Sequence, residues 1–168
     1  KQKVSDYIVD RLAQEGISQV FTVTGGGAMH LNDSLGHHPG LSCLYHHHEQ
    51  AAAMAAEAYA RVDNRMAAVC VTSGPGATNA ITGALCAWMD SIPMLVLSGQ
   101  VRYDTTVRHS GLKIRTMGVQ EYDITPSVEP MTKYAVMVTD PLTIRYHLER
   151  AIYLAKTGRP GPCWLDLP

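Results

Sequence analysis

Ala67-Ala68-Val69-Cys70-Val71-Thr72 runs without a break into Ser73-Gly74-Pro75-Gly76 and then into Ala77-Thr78-Asn79. The first six residues form an apolar run of strand length with no polar alternation. Such a strand is buried on both faces and needs a layer of helices on each side. The Gly-Pro-Gly turn stops the strand, and a helix from about Ala77 to Met89 follows, then a strand from Met94 to Leu97. Upstream the same alternation holds. Val4, Ile8 and Leu12 lie at helical spacing before Gly16, and Gln19 to Val23 reads as a strand ending at Thr24-Gly25-Gly26-Gly27. A short helix from Ala28 to Leu35, a strand from Leu41 to Tyr45 and an Ala-rich helix from about His48 to Arg61 complete that half. Downstream, Gln100 to Pro130 reads as a long irregular loop with a short helix, and a loop of that length in a compact domain suggests a binding surface. Lys133 to Val138, the amphipathic helix Leu142 to Thr157 and the strand Cys163 to Leu167 restore order. The expected fold class is α/β: a three-layer α/β/α sandwich on a mostly parallel sheet of about six strands.

Composition agrees with one globular domain over residues 1–168: 46% of residues are hydrophobic and 17% charged. A domain of this length buries roughly 70% of its unfolded surface. Fourteen Lys and Arg stand against 15 Asp and Glu, a net charge of −1 that gives no electrostatic case for nucleic acid or an anionic membrane. No apolar run approaches the ~20 residues that span a bilayer. The start, Lys1-Gln2-Lys3-Val4-Ser5-Asp6, lacks the apolar stretch of a secretion signal. Cys43, Cys70, Cys86 and Cys163 show no Cys-x-x-Cys spacing and read as reduced core thiols of a cytoplasmic protein.

On a parallel sheet, ligands bind beyond the carboxyl ends of the strands, which directs attention to the segments after Val23, Tyr45, Thr72 and Leu97. Gly25-Gly26-Gly27 is open to two readings, a tight turn or a backbone that a ligand approaches closely. As a dinucleotide fingerprint it fails, because His30 takes the third small position and Tyr45-His46 ends the second strand where an acidic ribose partner belongs. In His46-His47-His48 at most the first and third can converge, no further ligand stands at a metal-binding spacing, and no metal is assigned to this chain. Glu49 opens a helix at the sheet edge. It serves either as a simple stabiliser of the helix start or as a carboxylate that shares a proton with a ligand nitrogen. Thr72, Ser73 and Asn79 bring hydroxyls and an amide to the same edge, and the absence of Lys after a glycine rules out a Walker-type loop. Gln100, Gln120 and Glu121 add polar groups that could face it.

Together these stretches resemble the N-terminal pyrimidine-binding (PYR) domain of thiamine-diphosphate-dependent enzymes of the acetolactate synthase group. The matching residues are Val20-Phe21 with Gly25-Gly26, His48-Glu49-Gln50-Ala51-Ala52, Ala58-Tyr59-Ala60-Arg61 and Thr72-Ser73-Gly74-Pro75-Gly76-Ala77-Thr78-Asn79. Met89-Asp90-Ser91-Ile92-Pro93, Gly99-Gln100-Val101, Gln120-Glu121 with Asp123, Thr132-Lys133 and Gly158-Arg159-Pro160-Gly161-Pro162 complete it. Glu followed 23 residues later by Thr-Ser-Gly-Pro-Gly-x-Thr-Asn is the most specific part.

The resemblance implies that Glu49 is catalytic, hydrogen-bonding N1′ of the cofactor aminopyrimidine and favouring the tautomer whose 4′ nitrogen takes the thiazolium C2 proton. It implies that Thr24, Gly25, Thr72, Pro75 and Asn79 lie near the pyrimidine and that Gln120 faces the reaction centre. The implied activity is decarboxylation of a 2-keto acid such as pyruvate and transfer of the two-carbon unit to a carbonyl acceptor, as in branched-chain amino acid biosynthesis. A decarboxylase, a sugar-ketone ligase and a non-catalytic binding module are the alternatives. Thiamine diphosphate with Mg²⁺ is the implied cofactor, its metal ligands in a C-terminal domain, and this sequence has no Gly-Asp dipeptide. The chain is therefore expected to be a piece of a longer protein, inactive alone, and the whole to be a homodimer or dimer of dimers. Lys133 and Gln100 match positions near flavin in acetolactate synthases, so FAD is a further candidate. Ala52, Ala53 and Ala56 fit close packing against another backbone or domain. Val23-Thr24 and Val119 replace an aromatic-proline pair and a phenylalanine of the family, which implies an altered acceptor site.

Overall fold

The computed structural model describes residues 2–168, so that Lys1 of the N-terminal reading lies outside the described residues. The chain runs α1 (Val4–Gln14), β1 (Gln19–Thr22), α2 (Met29–His37), β2 (Ser42–Tyr45), α3 (Glu49–Asp63), β3 (Ala67–Val71), α4 (Pro75–Asn79) and α5 (Ile81–Asp90). It continues through β4 (Met94–Gly99), α6 (Val107–Ser110), α7 (Thr125–Val128), β5 (Tyr134–Met137), α8 (Ile144–Lys156) and β6 (Pro162–Leu167). The six strands form one sheet in the order β2-β1-β3-β4-β6-β5. Every pairing is parallel, so the sheet expected to be mostly parallel is wholly so.

Strand residues alternate between two apolar layers, as the period of two requires. Ala68, Cys70, Leu95, Leu97, Cys163 and Leu165 face one layer with Ile8, Leu12, Leu35, Leu148 and Ile152. Ala67, Val69, Val71, Met94, Val96 and Trp164 face the other with the α3 and α5 alanines. The central strands β3 and β4 are buried along their whole length, whereas the edge strand β2 is largely exposed. Each Leu or Ile of α8 taken from water contributes about 2 kcal/mol, which outweighs the weak propensity of a lone helix. α3 stops at Asn64 (φ 53°) and α5 at Ser91 (φ 61°), both in the left-handed cap conformation.

Four expectations change. The single helix over Ala77–Met89 is two helices: Pro75 starts α4 early, and Ala80, with ψ −10°, separates it from α5. The break turns Asn79 toward Glu49 and lets Gly83 seat α5 on Ala53, where an added Cβ would stand 2.5 Å from the alanine Cβ. Leu142 is 90% exposed and lies in the 3-10 turn Pro141–Thr143, its amide capped by Asp140, so the apolar stripe of α8 begins at Ile144. Ala52, Ala53 and Ala56 are fully buried within this chain, and the close packing they permit is to α5 and the sheet. All four cysteines are free. Cys70 and Cys163 are core residues with thiols pushed up to about 12 by burial, but Cys43 on the edge strand and Cys86 are half-buried. Among the described residues no helix is long and apolar enough to cross a membrane.

Candidate functional site

After β1 the chain turns to β2 on one side, and after β2 it returns to β3 on the other, so the order reverses at the β1–β3 pair. Loops leaving two such strands diverge to opposite faces, and a crevice opens beyond their carboxyl ends. The loops that meet there are residues 23–28 and 72–76. A Cβ on Gly25 would fall 2.4 Å from Thr72 Cβ, and one on Gly27 would fall 2.7 Å from Ser73 Oγ. The Gly27 amide donates to Thr72 Oγ1 at 3.0 Å. The glycines of the first loop are therefore explained by contact with the second. Gly26 differs: a side chain there would meet nothing within 4 Å.

Glu49 is the first residue of α3. His48 caps the helix, its Nδ1 accepting the Gln50 amide at 3.1 Å. The positive end of the helix favours negative charge on Glu49. Asn79 Nδ2 donates to Glu49 Oε2 at 2.9 Å, across from the end of α4. Oε1 lies 3.3 Å from where a Gly76 side chain would begin, and Thr72 Cγ2 closes the same spot at 2.6 Å. Only glycine at position 76 leaves that oxygen uncovered. The structure thus brings Gly25, Thr72, Gly76, Asn79 and Glu49 into one cluster from three loops. Thr24 and Pro75 are exposed on its rim, and neither hydrogen-bonds Glu49.

A cavity of about 1030 Å³ adjoins the crevice, lined by Gly26, Met29, Ser73, Met117, Val119 and Gln120 among others. None of Thr24, Gly25, Glu49, Thr72, Pro75 or Asn79 lines it; Ser73 and Gln120 join the two regions. Gln120 is held at φ 57°, and its carbonyl oxygen lies against Gly74, where a Cβ would be 2.1 Å away.

Three expected site groups are engaged by the protein's own hydrogen bonds, although Gln100 still lines the cavity. Glu121 turns into its own loop, where its carboxylate accepts backbone amides. Gln100 is buried, its Nε2 donating to Tyr122 O at 2.9 Å and to Asp166 Oδ2 at 3.2 Å. Lys133 precedes β5 and donates from Nζ to Thr157 O at 2.5 Å, whereas Gln100 follows β4. In a parallel sheet those are opposite edges, about 20 Å apart. His46 and His48 engage Leu44 O and the Gln50 amide, and among the described residues no group of three or more His, Cys, Asp or Glu could hold a metal ion.

The sequence reading missed Asp166, which is buried with Ser98 and Trp164. Ser98 Oγ donates to Asp166 Oδ1 at 2.6 Å, and Trp164 Nε1 donates to Ser98 Oγ at 2.8 Å. Burial pushes the Asp166 carboxyl up to about 7, against the lowering effect of the Ser98 and Gln100 hydrogen bonds; Asp123 raises it and Arg108 lowers it. A single Asp inside the apolar run Cys163–Leu167 was the available signal.

A carboxylate at a helix start, steadied by an amide and bordered by glycine, suits the ring nitrogen of a heterocycle with which it can share a proton. The 23–28 and 72–79 turns carry no Lys, Arg or further carboxylate, so nothing in them suits a diphosphate or its metal. The donor set fits the aminopyrimidine half of thiamine diphosphate. The chain belongs to the family described as thiamine pyrophosphate enzyme, N-terminal TPP binding domain, whose model matches residues 2–122.

Its relatives are large acetolactate synthase chains. It is 40% identical over 164 residues to the acetolactate synthase isozyme 3 large subunit of Escherichia coli (strain K12) and 38% identical to the acetolactate synthase large subunit of Haemophilus influenzae. Each match covers 98% of this chain and 27% of the relative. Acetolactate synthase 1, chloroplastic, of Oryza sativa subsp. japonica is 35% identical, over 99% of this chain and 25% of the relative. The chain spans about a quarter of the length of the curated relatives it matches.

Proposed function

We propose that this chain is the pyrimidine-binding portion of a longer thiamine-diphosphate-dependent enzyme of acetolactate synthase type. The enzyme decarboxylates a 2-keto acid such as pyruvate and passes the two-carbon unit to a carbonyl acceptor. The observation that carries the reading is Glu49 at the first turn of α3, with one carboxylate oxygen fixed by Asn79 and the other bordered by Gly76. Glu49 is the residue that would meet the pyrimidine nitrogen, with Thr24, Gly25, Thr72, Pro75 and Asn79 around the ring. When bound, thiamine diphosphate supplies the acidic carbon and electron sink that decarboxylation of a 2-keto acid needs. Glu49 holds or releases a proton at Oε1 while Asn79 prevents the carboxylate from rotating away. The 25–27 and 72–76 loops pack on one another beside it through Gly25, Gly27, Thr72 and Ser73. Gln120 offers an amide to a carbonyl group in the adjoining cavity.

Mg²⁺ and the diphosphate belong to a part of the protein beyond this chain, and the four free thiols support a reducing, cytoplasmic setting. A homodimer or dimer of dimers is supported by the apolar side chains that α3 and α5 leave exposed, Met54, Leu85, Trp88 and Met89. A flavin is a secondary expectation, drawn only from Gln100 and Lys133. The size of the cavity and the exposed Val119 on its rim favour, as a second reading, an acceptor larger than a keto acid, such as a sugar ketone. The test is Glu49→Gln in the full-length enzyme. Pyruvate consumption should fall by at least a hundredfold with the unfolding temperature unchanged. Undiminished consumption would overturn the reading.

A further inference from the structure

Glu121 gathers three backbone donors from two distant points of one loop. Its Oε1 accepts the Val107 amide at 2.6 Å, and its Oε2 accepts the Met117 and Gly118 amides at 2.9 and 3.0 Å. The start and end of the 107–118 excursion are thus closed on a single carboxylate, through charge-assisted bonds about twice as strong as neutral ones. The same residue ends a β-turn, its amide donating to Gly118 O at 3.2 Å. The third residue of that turn is Gln120, at φ 57°. A turn of this form ordinarily takes Gly or Asn there, and a long side chain costs about 1 kcal/mol. The conformation is held from two sides, by the Glu121 bonds and by the seat of the Gln120 carbonyl on Gly74. Strain maintained in this way collects where a side chain must be presented. Here Val119, 83% exposed, and Gln120 project at the cavity rim beside Ser73 and Met117.

We propose that Glu121 is a positioning residue for the acceptor substrate. Its grip on the amides of Val107, Met117 and Gly118 fixes the Gly118–Glu121 turn, and the turn presents Val119 and Gln120 to a carbonyl compound in the cavity. The Gln120 amide donates to the acceptor's carbonyl oxygen, and Val119 sets the width of the apolar wall. This rests on the carboligase reading above. It goes further in separating the acceptor, governed by Glu121, from the cofactor end, governed by Glu49.

The test uses the full-length enzyme carrying Glu121→Gln, which keeps the shape but has one acceptor oxygen where the loop needs two. Pyruvate is the donor and 2-ketobutyrate the acceptor, so that the two KM values are read separately. Expected results are an acceptor KM raised at least tenfold, a donor KM within twofold, and amide exchange at least tenfold faster over residues 104–121 with β3 and β4 unchanged. Exchange is read without substrate or cofactor. Unchanged exchange in that segment, or donor and acceptor KM moving together, would overturn the proposal. Should Glu121→Gln fail to fold, Glu121→Asp keeps the charge with a shorter reach and should show the same split at about threefold. Glu49→Gln run in parallel separates the two claims. If it remains active, the carboligase reading falls; if it is inactive and the Glu121 variants leave acceptor selectivity intact, only the positioning role falls.

Discussion

Asp166 makes the stability of this protein fall as pH rises through the neutral range. The carboxyl is fully buried in β6 between Ser98 and Gln100, and burial raises it from 3.8 to about 7. Between those values the unfolded chain gives up its proton while the folded protein keeps it. Deprotonation therefore lowers the free energy of the unfolded state over that window and leaves the folded state unchanged, so stability drops as pH rises. Below about pH 4 the group has no effect, and above about pH 7 the full penalty of a buried charge is present. Linkage between the two values gives a loss on the order of 2–3 kcal/mol from pH 5 to pH 8, a large share of the net stability of a domain. Asp166→Asn keeps an oxygen for the Ser98 hydroxyl and removes the titration. Urea unfolding of wild type and variant in parallel should show wild type losing on the order of 2–3 kcal/mol relative to the variant across that range. A carbon-13 NMR titration of the aspartate carboxyls should place one group near pH 7 in wild type only. If the two proteins keep a constant stability difference from pH 5 to 8, or if Asp166 titrates below pH 5, the burial argument is wrong.

Two further substitutions probe how the loops are held. Gly74→Ala puts a Cβ 2.1 Å from Gln120 O on a backbone at φ 55°, so it should cost at least ~2 kcal/mol in denaturant unfolding and speed amide exchange over residues 117–121. Gly83→Ala drives a methyl to 2.6 Å from the Ala53 backbone carbon and should cost about 1–3 kcal/mol, because α3 and α5 must move apart. Preserved stability in either variant would show that the contact relaxes at little cost.

The architecture was legible in the sequence because its signals are local. Unbroken apolar runs such as Ala67–Val71, bounded by turn residues, read as central strands of a covered sheet, and Gly16 ends a helix as Ser73-Gly74-Pro75-Gly76 ends a strand through backbone constraints that each carries alone. Glu49 and Asn79 could be named for the same reason: a strand end, a turn and a helix start fix which sheet edge they reach. Tertiary structure decided what those residues touch. Gly25 and Gly27 are small because Thr72 and Ser73 lie against them, a contact between loops some 45 residues apart. Glu121 looks from its neighbours like a site carboxylate, but three unpaired amides brought near it by the loop draw it inward. Asp166 and Ser98 share a hydrogen bond because β4 and β6 are adjacent, an order the chain does not announce. Periodicity and turn chemistry act over a few residues and can be read along the chain. Which polar groups find partners depends on which strands and loops become neighbours, and only folding in three dimensions settles that.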